Sequence, residues 1–238
     1  MSDHSMREHD NTALIVGASR GLGHAMAARY LDLGWRVTGT VRAGAEATPL
    51  HGLAAEAEGR LAIETVDICE AAEVAALRAR LAGRRFDTLF VNAGVTNDPR
   101  QTIAEVTTAE FIRVMVTNAL SPLRVIEALQ DLVPATGLIG VMSSGQGSIA
   151  DNETGMRELY RGSKAALNMF MRSFAARHAG DPRAVVAMAP GWVRTEMGGP
   201  DARLAIADSV PRLVDVLVAQ MGRPGLRYLD YRGNTVPW

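Results

Sequence analysis

Short, uniformly apolar segments alternate with longer amphipathic segments along the 238 residues of this chain. Uniformly apolar runs predict buried strands, whereas apolar positions that recur every three or four residues predict helices. The runs that predict strands are residues 13–16, 35–41, 61–66, 87–91, 137–142, 184–188 and 226–228. The patterns that predict helices are residues 24–33, 70–81, 108–132, 156–178 and 209–221, with a shorter helix within residues 43–59.

This alternation predicts an α/β fold, because strands that are apolar on both sides are typical of a parallel sheet covered by helices. We expect a single doubly wound, Rossmann-like parallel sheet of about seven strands with helices on both faces. One domain would span residues 11–238, after a flexible N-terminal tail at residues 1–10. Ligands of such folds bind beyond the carboxyl ends of the strands, so functional residues are expected there.

Composition narrows the function classes. Hydrophobic residues make up 47% of the chain and charged residues 21%, with a formal net charge of −1. Without a basic surplus, nucleic acid is not an expected partner. No apolar run approaches the roughly 20 residues that span a bilayer, so we expect no membrane partner. The one cysteine, Cys69, allows no intrachain disulfide, and the five histidines show no metal-ligand spacing. We therefore expect a cytoplasmic protein without a metal.

The turn after the first predicted strand has the pattern GxxxGxG, with Gly17, Gly21 and Gly23. Glycines let backbone amides approach an anion, and a helix that starts there adds unpaired N–H groups and a positive dipole end. Glycine turns also close ordinary strand–helix joints. The position of this turn between a strand and a helix predicts a site for the pyrophosphate of a dinucleotide.

The end of the second predicted strand indicates which dinucleotide binds. An acidic residue there would hold ribose hydroxyls and repel a 2′-phosphate. This chain has Thr40 and Val41 there, followed by Arg42, and Arg20 lies within the glycine turn. Two guanidinium groups clamp a phosphate well, so we predict NADP(H) rather than NAD(H). The alternative is that both arginines are ordinary surface residues.

Tyr160 and Lys164 are four residues apart, so on a helix they face the same space. A neighbouring ammonium favours phenolate, and we expect it to lower the pKa of Tyr160 from its usual value of about 10. A phenol tuned in this way exchanges a proton with an alcohol or a carbonyl oxygen. The alternative is a surface Tyr/Lys pair on an amphipathic helix.

With these motifs in this order, the chain resembles the classical short-chain dehydrogenase/reductase family from Leu14 to about Asp230. It is most similar to small carbonyl-reductase-like members that include bacterial cell-contact signalling factors, as residues 147–152, 163–169 and 229–238 suggest. The motifs that carry the resemblance are the glycine turn, Asp67, Asn92-Ala93-Gly94, Asn118, Ser144, Tyr160/Lys164, and Pro190-Gly191 with Thr195.

The resemblance implies a role for each catalytic position. Tyr160 would be the general acid in reduction and the base in oxidation. Lys164 would lower the pKa of Tyr160 and hold the hydroxyls of the nicotinamide ribose. Ser144 would orient the substrate oxygen, although Ser143 or Ser148 remains an alternative. Asn118 would hold a water between Lys164 and solvent, or else be a polar residue satisfied within its helix.

The resemblance also extends the nucleotide site. Asp67 would reach the adenine unless it caps the next helix, and residues 190–195 would cover the nicotinamide amide unless residues 190–191 are a plain turn. The residues expected to contact the nucleotide are Gly17, Ser19, Arg20, Gly21, Leu22, Gly23, Arg42, Asp67, Ile68, Asn92, Ala93, Gly94, Tyr160, Lys164, Pro190, Gly191, Val193 and Thr195.

Some positions depart from the usual family pattern. Val16 replaces a common Thr, Gly162 replaces a common Ala, and residues 151–155 form an extra loop beside the substrate. A short segment, residues 195–203, is expected to act as a mobile cover. Family members usually pair through two long helices, here residues 108–132 and 156–178, which implies a homodimer or homotetramer.

Two functions fit this sequence. The first is an NADPH-dependent carbonyl reductase, with a small carbonyl compound or alcohol as substrate. The second is an NADP(H)-binding sensor or signalling protein of the same fold that needs no turnover. The complete Ser144/Tyr160/Lys164 set favours the enzyme.

Overall fold

The seven strands of the part of the chain that the computed structural model describes, residues 11–44 and 47–238, form one parallel sheet. Its order is β3-β2-β1-β4-β5-β6-β7, and every neighbouring pair is parallel. This confirms the predicted fold class, whereas the predicted tail at residues 1–10 lies outside the described residues. The strands are β1 (Thr12–Val16), β2 (Arg36–Val41), β3 (Leu61–Thr65), β4 (Thr88–Val91), β5 (Leu138–Met142), β6 (Ala184–Ala189) and β7 (Gly225–Asp230).

Helices cover both faces of this sheet. They are α1 (Gly21–Asp32), α2 (Pro49–Glu56), α3 (Ala71–Arg80), α4 (Thr108–Met115), α5 (Ser121–Leu129), α6 (Glu158–Arg177) and α7 (Ile206–Gln220). Helices α1, α2 and α7 bury their apolar sides in one core cluster, and α3, α5 and α6 bury theirs in the other. None of the described helices is long and apolar enough to cross a membrane.

Strand β1 shows how the apolar runs produce this layered structure. Successive side chains of a strand point to opposite faces. Leu14 and Val16 therefore belong to one core cluster, and Ala13 and Ile15 to the other. All four are fully buried, which is why the run lacks the apolar/polar alternation of a half-exposed strand.

Helix α1 begins earlier than the sequence pattern predicted. The prediction placed its start at residue 24, but the helix begins at Gly21, so the last two glycines of the turn lie within its first turn. Gly21 has a φ of 59°, a left-handed value that favours glycine. The helix therefore starts directly at the mouth of the glycine turn.

The helix predicted over residues 108–132 is interrupted. A π-helical turn, Val116–Leu120, separates α4 from α5, and a 3₁₀ turn, Gln130–Leu132, follows. Pro122 has no N–H group, so the carbonyl of Asn118 lacks the donor that an α-helix would supply four residues later. This local loss of the α-helical ladder coincides with a residue predicted to be functional.

The sheet order reverses direction between β1 and β4. In doubly wound sheets the crevice at this switch point is where ligands bind. The glycine turn follows β1 and Asn92 follows β4, so both lie at the crevice. The order of strands thus brings together motifs that are far apart in the chain.

Candidate active site at the carboxyl edge of the sheet

The glycine turn is packed so closely that side chains are excluded. A Cβ atom on Gly17 would lie 2.7 Å from the Ala93 nitrogen, and one on Gly23 would lie 2.1 Å from the Gly17 oxygen. Asn92 Nδ2 donates a 2.7 Å hydrogen bond to the Gly17 carbonyl, and the Gly17 N–H donates to Thr40 Oγ1 at 3.0 Å. The turn is therefore held from both neighbouring strands.

The start of α1 suits a phosphate group. Arg20 is the N-cap residue, its side chain caps no N–H group, and the first turn holds no acidic residue. The first backbone N–H groups of a 12-residue helix thus remain available, together with the positive end of its dipole. This arrangement fits the pyrophosphate of a dinucleotide.

The structure brings Tyr160 and Lys164 to the same crevice, one turn apart on α6. Lys164 Nζ lies 5.9 Å from the centre of the Tyr160 ring. The ammonium donates a 2.8 Å hydrogen bond to the Met142 carbonyl at the end of β5. Both side chains are buried at the crevice rather than displayed on the surface, so the surface-pair alternative does not hold.

Burial dominates the protonation of this pair. It lowers the pKa of Lys164 to about 8, and it raises the pKa of Tyr160. A hydrogen bond with Ser144 and the charge of Arg157 lower the pKa of Tyr160, but by less. The predicted net lowering of the Tyr160 pKa is therefore wrong for the protein alone, because removing the phenol from water outweighs the nearby positive charge.

Of the three candidate serines, only Ser144 lines the cavity described below. Ser143 is buried and donates a 2.6 Å hydrogen bond to Asn168 Oδ1, and the Ser148 hydroxyl accepts from the Asp151 N–H. The Tyr228 hydroxyl of β7 donates to the carbonyl of Ser144. Tyr228 supports the serine from 84 residues away, a role for which the sequence gives no signal.

Asn118 is fully buried in the π-helical turn and is satisfied outside its own helix. Its amide pairs with both backbone groups of Val95, at 2.8 Å each, and donates to Ser163 Oγ at 2.9 Å. Asn118 Oδ1 and Lys164 Nζ would lie 3.3 and 3.5 Å from a Cβ on Gly94. The structure therefore joins three of the predicted site residues, Gly94, Asn118 and Lys164.

The two arginines predicted to clamp a phosphate are placed differently. Arg20 Nη1 lies 2.6 Å from Glu196 Oε2 in the segment predicted to be mobile, whereas Arg42 is exposed directly after β2. Asp67 Oδ1 accepts the Cys69 N–H, and the N-cap residue of α3 is Glu70. The helix-cap alternative for Asp67 is thus not what the structure shows.

A cavity of about 270 Å³ opens between the glycine turn, Tyr160 and the segment after β6. The segment is folded back on itself, because Val193 and Leu204 form a parallel bridge and Trp192 Nε1 donates to the Gly198 carbonyl. Sequence reasoning placed several of the lining residues but missed others. The lining residues that the prediction missed are Gly145, Gln146 and Arg157, whereas Trp192, Met197 and Gly198 lie within the segments 190–195 and 195–203 that were predicted to act as covers.

Arg157 is the missed residue with the clearest sequence signal. It lies three residues before Tyr160, and residues three apart on a helix share a face. Its guanidinium carbon lies 5.1 Å from the centre of the Tyr160 ring. Within the described residues, no group of three or more histidine, cysteine or acidic side chains is arranged to hold a metal ion.

The strand order and the glycine turn define a Rossmann-like α/β protein. The chain belongs to the short chain dehydrogenase family, whose model matches residues 11–203. It is 38% identical to C-signal from Myxococcus xanthus over 154 residues, which cover 64% of this chain and 92% of that protein. This match agrees with the predicted resemblance to carbonyl-reductase-like members that include signalling factors.

Solved structures give the same assignment. A short-chain dehydrogenase/reductase from Burkholderia multivorans with bound NADP is 68% identical, with a TM-score of 0.95 over 96% of this chain and 100% of that chain. A carbonyl reductase from Pseudomonas aeruginosa PAO1 in complex with NADP is 36% identical, with a TM-score of 0.88 over 96% of this chain and 99% of that chain.

Proposed function

We propose that this protein is an NADP(H)-dependent oxidoreductase that reduces a carbonyl group to an alcohol, with Tyr160 as the general acid. The observation that carries the proposal is the position of Tyr160 and Ser144 on one cavity that also touches Leu22 of the glycine turn. A proton donor, a hydrogen-bonding hydroxyl and the nucleotide site thus share one crevice.

The residues present fit NADP(H). The glycine turn excludes Cβ atoms, and the start of α1 is free of acidic side chains. Strand β2 ends with Thr40 and Val41 rather than with an acid, and Thr40 accepts a hydrogen bond from the turn. Arg42 and Arg20 would neutralise the 2′-phosphate, and Asn92 would close the site. Bound NADP in two similar structures supports the choice of this cofactor.

When bound, NADPH supplies the hydride for the carbonyl carbon. Tyr160 donates its proton to the carbonyl oxygen, and its raised pKa keeps it protonated for this task at neutral pH. Ser144 donates a hydrogen bond to the same oxygen and orients it. In the oxidation of an alcohol, Tyr160 would instead accept the proton of the hydroxyl group and act as the base.

Lys164 supports the proton transfer. Its pKa of about 8 leaves it mostly charged at pH 7, and the charge stabilises the phenolate left after Tyr160 gives up its proton. Asn118 lies beside Lys164. The backbone carbonyl of Asn118 lacks the usual helical donor, because the residue four positions later is Pro122, which has no N–H group. We propose that this carbonyl holds a water through which Lys164 exchanges protons with solvent.

The experiment is a measurement of NADPH consumption over a panel of aldehydes, ketones and quinones. We expect turnover of at least one class, with NADH used less well. The similarity to C-signal favours a second candidate, an NADP(H)-binding signalling protein without required turnover. NADPH binding without consumption on any compound would favour that candidate and contradict the first.

A further inference from the structure

Arg157 is the one charged side chain among the described residues that line the cavity. The other lining residues that face the substrate space include the apolar side chains Leu22, Trp192, Val193 and Met197. A guanidinium in such a setting is an uncommon choice unless it meets a negative charge. The mechanism proposed above does not require a cation at this position.

The guanidinium of Arg157 is poorly satisfied by the protein. Its Nε is buried without a hydrogen-bond partner, and Nη2 donates one long bond, 3.3 Å, to Thr96 Oγ1. No carboxylate of the described residues forms an ion pair with it. Apart from the buried Nε and the bonded N–H of Nη2, three of the five donors of this side chain have no hydrogen-bond partner in the described residues and can meet a ligand.

The neighbouring residues fix the position of Arg157. Arg161 donates to the carbonyl of Met156 at 2.7 Å and to Thr154 Oγ1 at 3.0 Å, which ties down the preceding loop. Glu158 Oε2 accepts the Ile103 N–H at 3.1 Å on the other side. Arg157 itself has a φ of 64°, which a non-glycine residue seldom adopts. The side chain is therefore presented from an anchored turn.

We infer that Arg157 binds a carboxylate of the substrate, so that the enzyme reduces short oxo acids rather than neutral carbonyl compounds. This inference rests on the proposed function. A planar guanidinium matches a carboxylate through two parallel hydrogen bonds. Because the guanidinium carbon lies 5.1 Å from the ring centre of Tyr160, the carboxylate must be only a few bonds from the reacting carbonyl.

The cavity supports this substrate class. Its volume of about 270 Å³ suits a small molecule, and Trp192 and Met197 offer an apolar surface to a hydrocarbon or aromatic body. A 2-oxo or 3-oxo acid with such a body has a charge for Arg157, a carbonyl for Tyr160 and an apolar part for Trp192, and all three of these residues line the cavity.

The test compares each oxo acid with its methyl ester, for example phenylglyoxylate with methyl phenylglyoxylate. The kcat/KM ratio of acid to ester is measured for the wild type, Arg157→Met, Arg157→Lys and Arg172→Met. Arg172 lies on α6, which begins directly after Arg157. It is exposed and stacks on Trp238, so it controls for loss of a charge. Taking the ratio cancels any effect of Arg157 on Tyr160 that acids and esters share.

We expect the wild type to prefer the acids, and Arg157→Met to reduce that preference about tenfold to a hundredfold. Arg157→Lys should retain part of it, and Arg172→Met all of it. Calorimetric binding of benzoate and benzamide to the NADP⁺ complex gives a second readout, in which only benzoate should lose affinity in Arg157→Met. Turnover of ketones and esters with no preference for acids would overturn this inference and leave the proposed function standing. No turnover of any carbonyl compound would overturn both.

Discussion

Arg20 in the glycine turn and Glu196 after β6 form an ion pair, with 2.6 Å between Nη1 and Oε2. Both side chains are largely exposed, so the pair itself contributes little to stability. Its importance is positional, because it joins the turn that would bind the nucleotide to the segment that would cover it. One of the two arginines predicted to bind the 2′-phosphate, Arg20, is thus held by a competing carboxylate.

Glu196→Gln should therefore raise the affinity for NADPH. An exposed pair is worth a few tenths to 1 kcal/mol, so we expect a twofold to fivefold lower dissociation constant at low salt. The affinity for NADH, which lacks the 2′-phosphate, should change less. Fluorescence titration at two salt concentrations measures the dissociation constants of both nucleotides. The gain in NADPH affinity caused by the substitution should shrink at high salt. Equal gains for the two nucleotides would contradict the competition.

Arg42→Asp should weaken NADPH binding far more than NADH binding. The substitution removes the cation proposed to face the 2′-phosphate and adds an anion that would repel it, so we expect a loss of about tenfold to a hundredfold in kcat/KM for NADPH. The measurement is a steady-state comparison of the two nucleotides on one substrate. Arg36→Asp, at the opposite end of β2, is the matched charge change and should leave the ratio unchanged.

Tyr160→Phe should lower kcat/KM for carbonyl reduction by about 10²- to 10⁴-fold, because general acid catalysis contributes this much. The affinity for NADPH should stay within a few-fold, since most of the nucleotide site is formed by other residues. Tyr30→Phe is the control, because Tyr30 is a fully buried tyrosine in the core on the far side of the sheet. Full turnover by Tyr160→Phe would contradict the assignment of Tyr160 as the proton donor.

The sequence was sufficient for the sheet and for the proximity of Tyr160 and Lys164. Strand β6 was predicted at residues 184–188 because each of its side chains is apolar, and all six residues from Ala184 to Ala189 are buried. The spacing of Tyr160 and Lys164 placed both on one face of α6, as the structure shows. Both features depend on local periodicity, which a single sequence contains.

What the sequence did not predict depends on contacts between distant residues. The π-helical turn at Asn118 follows from Pro122 together with the Val95 backbone, which the fold brings to the Asn118 amide. The raised pKa of Tyr160 depends on burial, which no local pattern specifies. The α6 pattern was taken as one helix from residue 156, so the left-handed turn at Arg157 was not foreseen.

The two long helical segments that are predicted to form the subunit interface expose an apolar surface. Large apolar side chains on α4, the π-helical turn and α6 are 39–60% exposed: Phe111, Ile112, Leu120, Met169 and Phe170. Phe170→Glu should raise the dissociation constant of a homodimer or homotetramer at least tenfold, because an apolar contact is replaced by a charge. Light scattering after size exclusion measures this, with Ile149→Glu, an exposed apolar residue outside these helical segments of the chain, as the control. A monomeric wild type at micromolar concentration would contradict the prediction.

Burial of Lys164 predicts how stability depends on pH. The pKa of Lys164 is about 8 in the folded protein and 10.5 when the side chain is free. Between these values the unfolded chain binds the proton and the folded protein does not, so the free energy of unfolding rises with pH. Above pH 10 the raised pKa values of Tyr160 and Tyr228 act in the opposite direction, because the folded protein keeps protons that the unfolded chain loses.

Urea unfolding of the wild type and Lys164→Met at pH 7 and pH 9.5, without added nucleotide, isolates the lysine. Subtracting the free energy of unfolding of the variant from that of the wild type at each pH cancels the titration of groups that do not contact Lys164. The free energy of unfolding of the wild type should rise relative to that of the variant by about 2 kcal/mol over this interval. The rise reflects the cost of keeping a buried ammonium charged at pH 7. Parallel curves for the two proteins would show that Lys164 is solvated, and would remove its shifted pKa from the mechanism.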